Sequence, residues 1–140
     1  MNTDSIISPP HALIHIMLTM AAADGPVNDS ELLRVERLIS FLPVFQDEDE
    51  NTLALVTESF AEFMSADDGL DTLLALVSAA LPERLHETAY ALAVEIAAAD
   101  LAVKPEEIRL LDLLRDFLKV DKLAAAAIER GARARFSSLN

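Results

Sequence analysis

Four carboxylates draw attention by residue type and spacing: Asp24 with Glu31, and Asp100 with Glu107. In each pair the Glu lies seven positions after the Asp, and each Asp closes the run Ala-Ala-Ala-Asp, at 21–24 and 97–100. Grouped carboxylate oxygens are what a hard divalent cation such as Ca²⁺ or Mg²⁺ takes as ligands, and Asp29 and Glu106 lie close enough in sequence to add oxygens. The same residues also have a purely structural use. Glu31 stands three after Asn28, the spacing of a reciprocal helix cap, and Glu107 falls in the first turn after Pro105, where negative charge favours a helix. In the second copy Lys104 takes the capping position, so the reciprocal bond is not expected there, yet the Glu is kept. An EF-hand is excluded, because Pro26 and Val35 stand where its third and twelfth loop positions need oxygens.

Other chemistry-bearing residues are thinner. His11 and His15 are four apart and share a helix face, but no third metal ligand accompanies them, so two polar residues at an exposed helix start is the simpler expectation. Glu83-x-x-His86 is half of a di-iron signature whose second half is missing. Asp67, Asp68 and Asp71 around Gly69 read as a capped turn or a Ca²⁺ loop, and Arg130, Arg133 and Arg135 suit a helix C-terminus. No nucleophile–base pair and no Gly-rich phosphate loop appears, so no catalytic residue is assigned and an enzyme is not expected.

The elements that must position these residues are helical throughout. Pro9 and Pro10 open a first helix that is apolar nearly all round to about Ala23, and Asp24-Gly25-Pro26 ends it. Asn28 starts a second helix, with Leu32, Val35, Leu38, Ile39 and Leu42 facing in, and Pro43 closes it. A third is expected from the acidic run 47–50, with Leu53, Val56, Phe60 and Phe63 inward, and a fourth over 70–80. A fifth follows Pro82 and is again apolar nearly all round. A sixth starts at Pro105, with Ile108, Leu111, Leu114 and Leu118 inward, and Asp121 caps a seventh that runs to about Arg135. The expected fold is all-α: a single compact bundle of about seven helices over residues 1–140.

The carboxylate pairs belong to a longer repeat at an offset of 76 residues. Over positions 21–44, ten residues are identical to their partners at 97–120, including Val27 with Val103, Leu38 with Leu114 and Phe41-Leu42 with Phe117-Leu118. Units at about 11–44 and 87–120 are therefore expected to pack about a pseudo-two-fold axis, with the two apolar helices in the middle and the two acidic loops related by the axis. AAADGPVNDSE and AAADLAVKPEE, each followed by an amphipathic helix, resemble the paired motif of the tellurite-resistance TerB family and its TerB-like relatives. The family pattern, Asp-Gly-x-x-x-x-x-Glu after an Ala-rich helix, is complete at Asp24, Gly25 and Glu31, whereas the second copy has Leu101 in place of the Gly. The resemblance implies an all-α fold, a role in tellurite resistance and related stress responses, no established catalysis, and acidic clusters that bind a metal or a partner.

Composition narrows the partners. The chain of 140 residues has 11 Lys+Arg against 24 Asp+Glu, a formal charge of −13, which repels phosphate backbones and disfavours nucleic acid. With 52% apolar residues it can build a core, and with no Cys it has no disulfide, thiolate zinc site or thiol chemistry. The expected ligand is a divalent cation or a protein partner, with a homodimer also open. No integral membrane segment is expected, since the longest apolar stretches fall short of the roughly 20 residues that span a bilayer. Residues 1–10 lack the basic start of a signal peptide, so a cytoplasmic location is expected.

Overall fold

Ser8 begins the first helix by accepting a hydrogen bond on its hydroxyl from the His11 amide (3.3 Å), and Pro9 and Pro10 fill the first-turn positions whose N–H groups would be unused. Helix α1 then runs Pro9–Ala21, and every residue from Ala12 to Ala21 is buried. In this computed structural model, which describes residues 7–99 and 103–139, α1 is packed most extensively against α5, His86–Ala98, whose Ala89, Tyr90, Leu92, Ala93, Val94, Ile96 and Ala97 are buried. The two nearly all-apolar helices form the centre, as their sequences imply.

The outer helices repeat around that centre. Helix α2 is Asp29–Phe41 and α6 is Pro105–Phe117, so both ends agree with the 76-residue sequence offset. Helix α3, Thr52–Met64, packs on α1, and α7, Lys122–Arg135, packs on α5. Across the centre α2 touches α5 and α6 touches α1, the reciprocal exchange a pseudo-two-fold arrangement requires. Helix α4, Gly69–Ala80, lies on α1 and α3 and connects the halves. Seven α-helices and no strand are found among the described residues, and no helix there is long and apolar enough to cross a membrane.

Several expected boundaries move. Helix α1 stops at Ala21, and residues 22–24 form turns. The acidic run 47–50 lies outside α3: Glu48 accepts from the Thr52 hydroxyl (3.1 Å) and Asp49 from the Asn51 amide (2.8 Å), so these carboxylates shape the turn before the helix. Pro82 leads into a 3-10 turn at Glu83–Leu85, and α5 begins only at His86. Ile108, expected inside, is 50% exposed, while Leu114 and Leu118 are buried. At the α3–α4 junction Gly69 is required by space, because a Cβ there would lie 1.6 Å from the Phe63 carbonyl oxygen. Asp68 stands at the capping position of α4, but its side chain makes no capping bond, so the expected capped turn is not formed.

Candidate functional site

The acidic loop of the first half turns at Gly25, whose φ of +146° is open to glycine and strained for other residues. The Gly25 amide donates to the Ala22 carbonyl (3.3 Å), and the chain enters α2 through a full reciprocal cap. The Glu31 amide donates to Asn28 Oδ1 (2.8 Å) and the Asn28 amide to Glu31 Oε1 (2.9 Å). The second half keeps one bond of the pair: the Lys104 amide donates to Glu107 Oε1 (2.9 Å). A lysine side chain has no acceptor, so the Glu107 amide turns to the Lys104 carbonyl instead (3.0 Å). Glu107 is 5% exposed, buried at the base of this loop.

Lys104 also joins the two loops. Its ammonium forms an ion pair with the Asp24 carboxylate of the other half. That hydrogen bond, with the charge of Lys104 adding to it, holds the Asp24 carboxyl below its ordinary range. One lysine thus touches both repeats: its backbone amide holds Glu107 and its side chain holds Asp24. Of the four carboxylates singled out by spacing, the structure gives Asp24, Glu31 and Glu107 defined partners, and Asp100 lies outside the described residues. Among the described residues no group of three or more His, Asp or Glu side chains is arranged to hold a metal ion.

The histidines behave differently from the expectation of an exposed pair. His11 is half-exposed and pairs with Glu48 (3.1 Å), but His15 is 2% exposed, edge-on to Phe63 with ring centroids 5.8 Å apart. Its Nδ1 has no hydrogen-bond partner. Burial, with repulsion from His11 second, lowers its pKa to about 4. His86 sits where both ring nitrogens meet main-chain oxygens, Nδ1 with Leu118 (3.0 Å) and Nε2 with Leu81 (3.2 Å), tying the end of α4 to the end of α6. Arg135 of the basic tail pairs with Glu95 of α5, and Asp121 caps α7 by accepting from the Ala124 amide (2.9 Å).

Two features escaped the sequence reading. One is the bridging role of Lys104, whose signal is that it is the one cation in the two acidic segments 24–31 and 100–107. The other is a pair of grooves. Helices α2 and α3 leave a groove of about 610 Å³, and α5, α6 and α7 leave one of about 590 Å³. Matched residues line both, Leu32 and Glu36 in the first, Ile108 and Asp112 in the second. The second groove also carries Arg115, Arg133 and the buried Tyr90, whose hydroxyl donates to Glu129 (2.5 Å).

Matched halves, a paired apolar centre and loops joined by an ion pair define an all-α, two-repeat acidic protein. Residues 11–130 match the family model described as tellurite resistance protein TerB, and the chain belongs to that family. Searches of curated proteins and of solved structures gave no match.

Proposed function

We propose that this TerB-family chain is a non-enzymatic helical adaptor in tellurite resistance, whose loop carboxylates hold the two halves in register and whose acidic surface receives a partner protein. One observation carries the reading: Asp24, Glu31 and Glu107 are each engaged by a neighbour in the fold, Lys104, Asn28 and Lys104 respectively. Carboxylates so used are architecture, and recognition falls to the remaining surface. The test is survival of tellurite-challenged cells complemented with wild type or with Asp24→Asn. An adaptor whose loops serve only to hold the fold keeps full protection when Asp24→Asn is folded, and its melting is unmoved by chelators. Protection lost by a folded variant argues against it.

A second reading is favoured by the meeting of the two loops at Lys104, which draws the Asp24 carboxylate of one repeat to the loop of the buried Glu107 in the other. In that reading Asp24, Glu31, Asp100 and Glu107 serve a divalent cation, Ca²⁺ or Mg²⁺, with oxygen ligands. Calorimetric titration with Ca²⁺, Mg²⁺, Mn²⁺ and Zn²⁺ decides it: binding that disappears in Asp24→Asn and in Asp100→Asn supports the cation, and binding intact in both removes it.

A further inference from the structure

The groove between α2 and α3 is apolar inside and acidic at its edges. Leu32, Leu33 and Leu53 form its floor, Leu33 being 47% exposed. Asp29, Glu36, Glu50 and Glu58 stand around them, and no Lys or Arg lines the groove. None of the four carboxylates has an ion-pair partner among the described residues. Along α2 the groove residues Asp29, Leu32, Leu33 and Glu36 follow the i, i+3, i+4, i+7 spacing of one helix face. The groove residues of α2 run from Asp29 to Glu36, about 10 Å of helix at about 1.5 Å per residue, so about two turns of a partner helix lie against them. Leucines left partly wet between unpaired carboxylates are complementary to a helix with an apolar stripe flanked by lysine or arginine.

The matched groove of the other half sharpens the choice. It keeps an apolar interior but adds Arg115 and Arg133, and its acids are engaged, Glu129 by Tyr90 and Asp112 by Arg115 (3.5 Å). Of the two matched grooves, the one between α2 and α3 combines open leucines with a negative rim that no ion pair compensates among the described residues. We infer that the α2–α3 groove docks a cationic amphipathic helix of a partner protein. The inference rests on the adaptor reading and names the class of partner and the surface that takes it.

The test is calorimetry of the full chain at physiological ionic strength with an 18-residue Leu/Lys peptide, leucines at i, i+3, i+4 and i+7. A scrambled peptide of the same composition is the control for net charge. The expected result is binding with a rise in peptide helicity, and at least tenfold weaker binding of the scrambled peptide. Glu36→Lys/Glu58→Lys lowers affinity at least tenfold and Leu33→Ser at least threefold. Asp67→Lys/Asp116→Lys, which makes the same charge change on exposed residues outside the groove, alters it less than twofold. Equal losses in the two double variants, or equal binding of both peptides, overturn the proposal. So does a dimer of the free chain that Leu33→Ser dissolves, which would give the groove to a second copy, or Leu33-dependent binding to anionic vesicles. Groove variants that bind like wild type sink the docking proposal whatever the Asp24→Asn survival assay returns, so the two readings fail separately.

Discussion

The two halves finish their outer helices differently, although Phe41-Leu42-Pro43-Val44 and Phe117-Leu118-Lys119-Val120 differ at one position. After α6, Lys119 takes φ +55°, and the amides of Lys119 and Val120 return to the carbonyls of Asp116 (3.2 Å) and Arg115 (3.1 Å). The chain doubles back, and Leu118 and Val120 are buried. Proline cannot take a positive φ, so after α2 the backbone leaves in extended conformation at Leu42 and winds into a 3-10 turn at Pro43–Phe45. Leu42 and Val44 stay half-buried, Phe41 is 81% exposed, and Phe45 fills the core instead. A duplicated sequence thus yields two surfaces because one residue fixes the exit angle of the chain.

The comparison breaks first at Lys119. Lys119→Pro should impose the first-half exit on the second half and lose the returning bonds, costing at least about 3 kcal/mol in denaturant melts. The inner helices differ at His15, whose counterpart by the offset is Ala91. The unfolded chain takes up this proton near pH 6.5 and the folded chain at about 4, so the folded state loses ground only as the pH falls between those values. Stability should be complete above pH 6.5 and drop by roughly 3 kcal/mol by pH 4, and His15→Leu should flatten that part of the curve relative to wild type. Gly69→Ala, at the connection between the halves, should drive a methyl group into the Phe63 carbonyl and cost about 2 kcal/mol, read as a lower melting temperature. Lys119→Gly should keep the doubled-back exit without its backbone strain and stabilise by about 0.5–1 kcal/mol in the same melts. The smallest effect belongs to the bridge between the loops: Asp24→Asn should lower stability slightly, with the difference from wild type shrinking as salt is added.

The helices and the starts of α1, α2, α6 and α7 are legible because the punctuation is local. Proline, Asn28 and Asp121 act on amides within a few residues, and two apolar helices have no stable place except against each other. The positions of α1 and α5, the caps of α2 and α7, and the paired halves follow from such signals. What escaped depends on neighbours distant in sequence. An apolar position marks a helix face without saying whether another helix covers it, so Ile108 reads as inward although it edges an open groove. His15 reads as part of an exposed helix start because the phenyl rings that enclose it come from α3, more than forty residues away. At the loops, the spacing of the carboxylates was readable, but their engagement by Lys104 required the 80-residue separation from Asp24 to be closed by folding.

Helix α1 is enclosed for ten consecutive residues, whereas α2 has one fully buried residue, Val35. Amide protons of α1 can therefore reach solvent only when the whole molecule opens, while those of α2 can exchange through a local fraying that leaves the centre intact. The helix carrying the open leucines is thus anchored more lightly than the centre, chiefly through Val35, and is freer than α1 to adjust its seat.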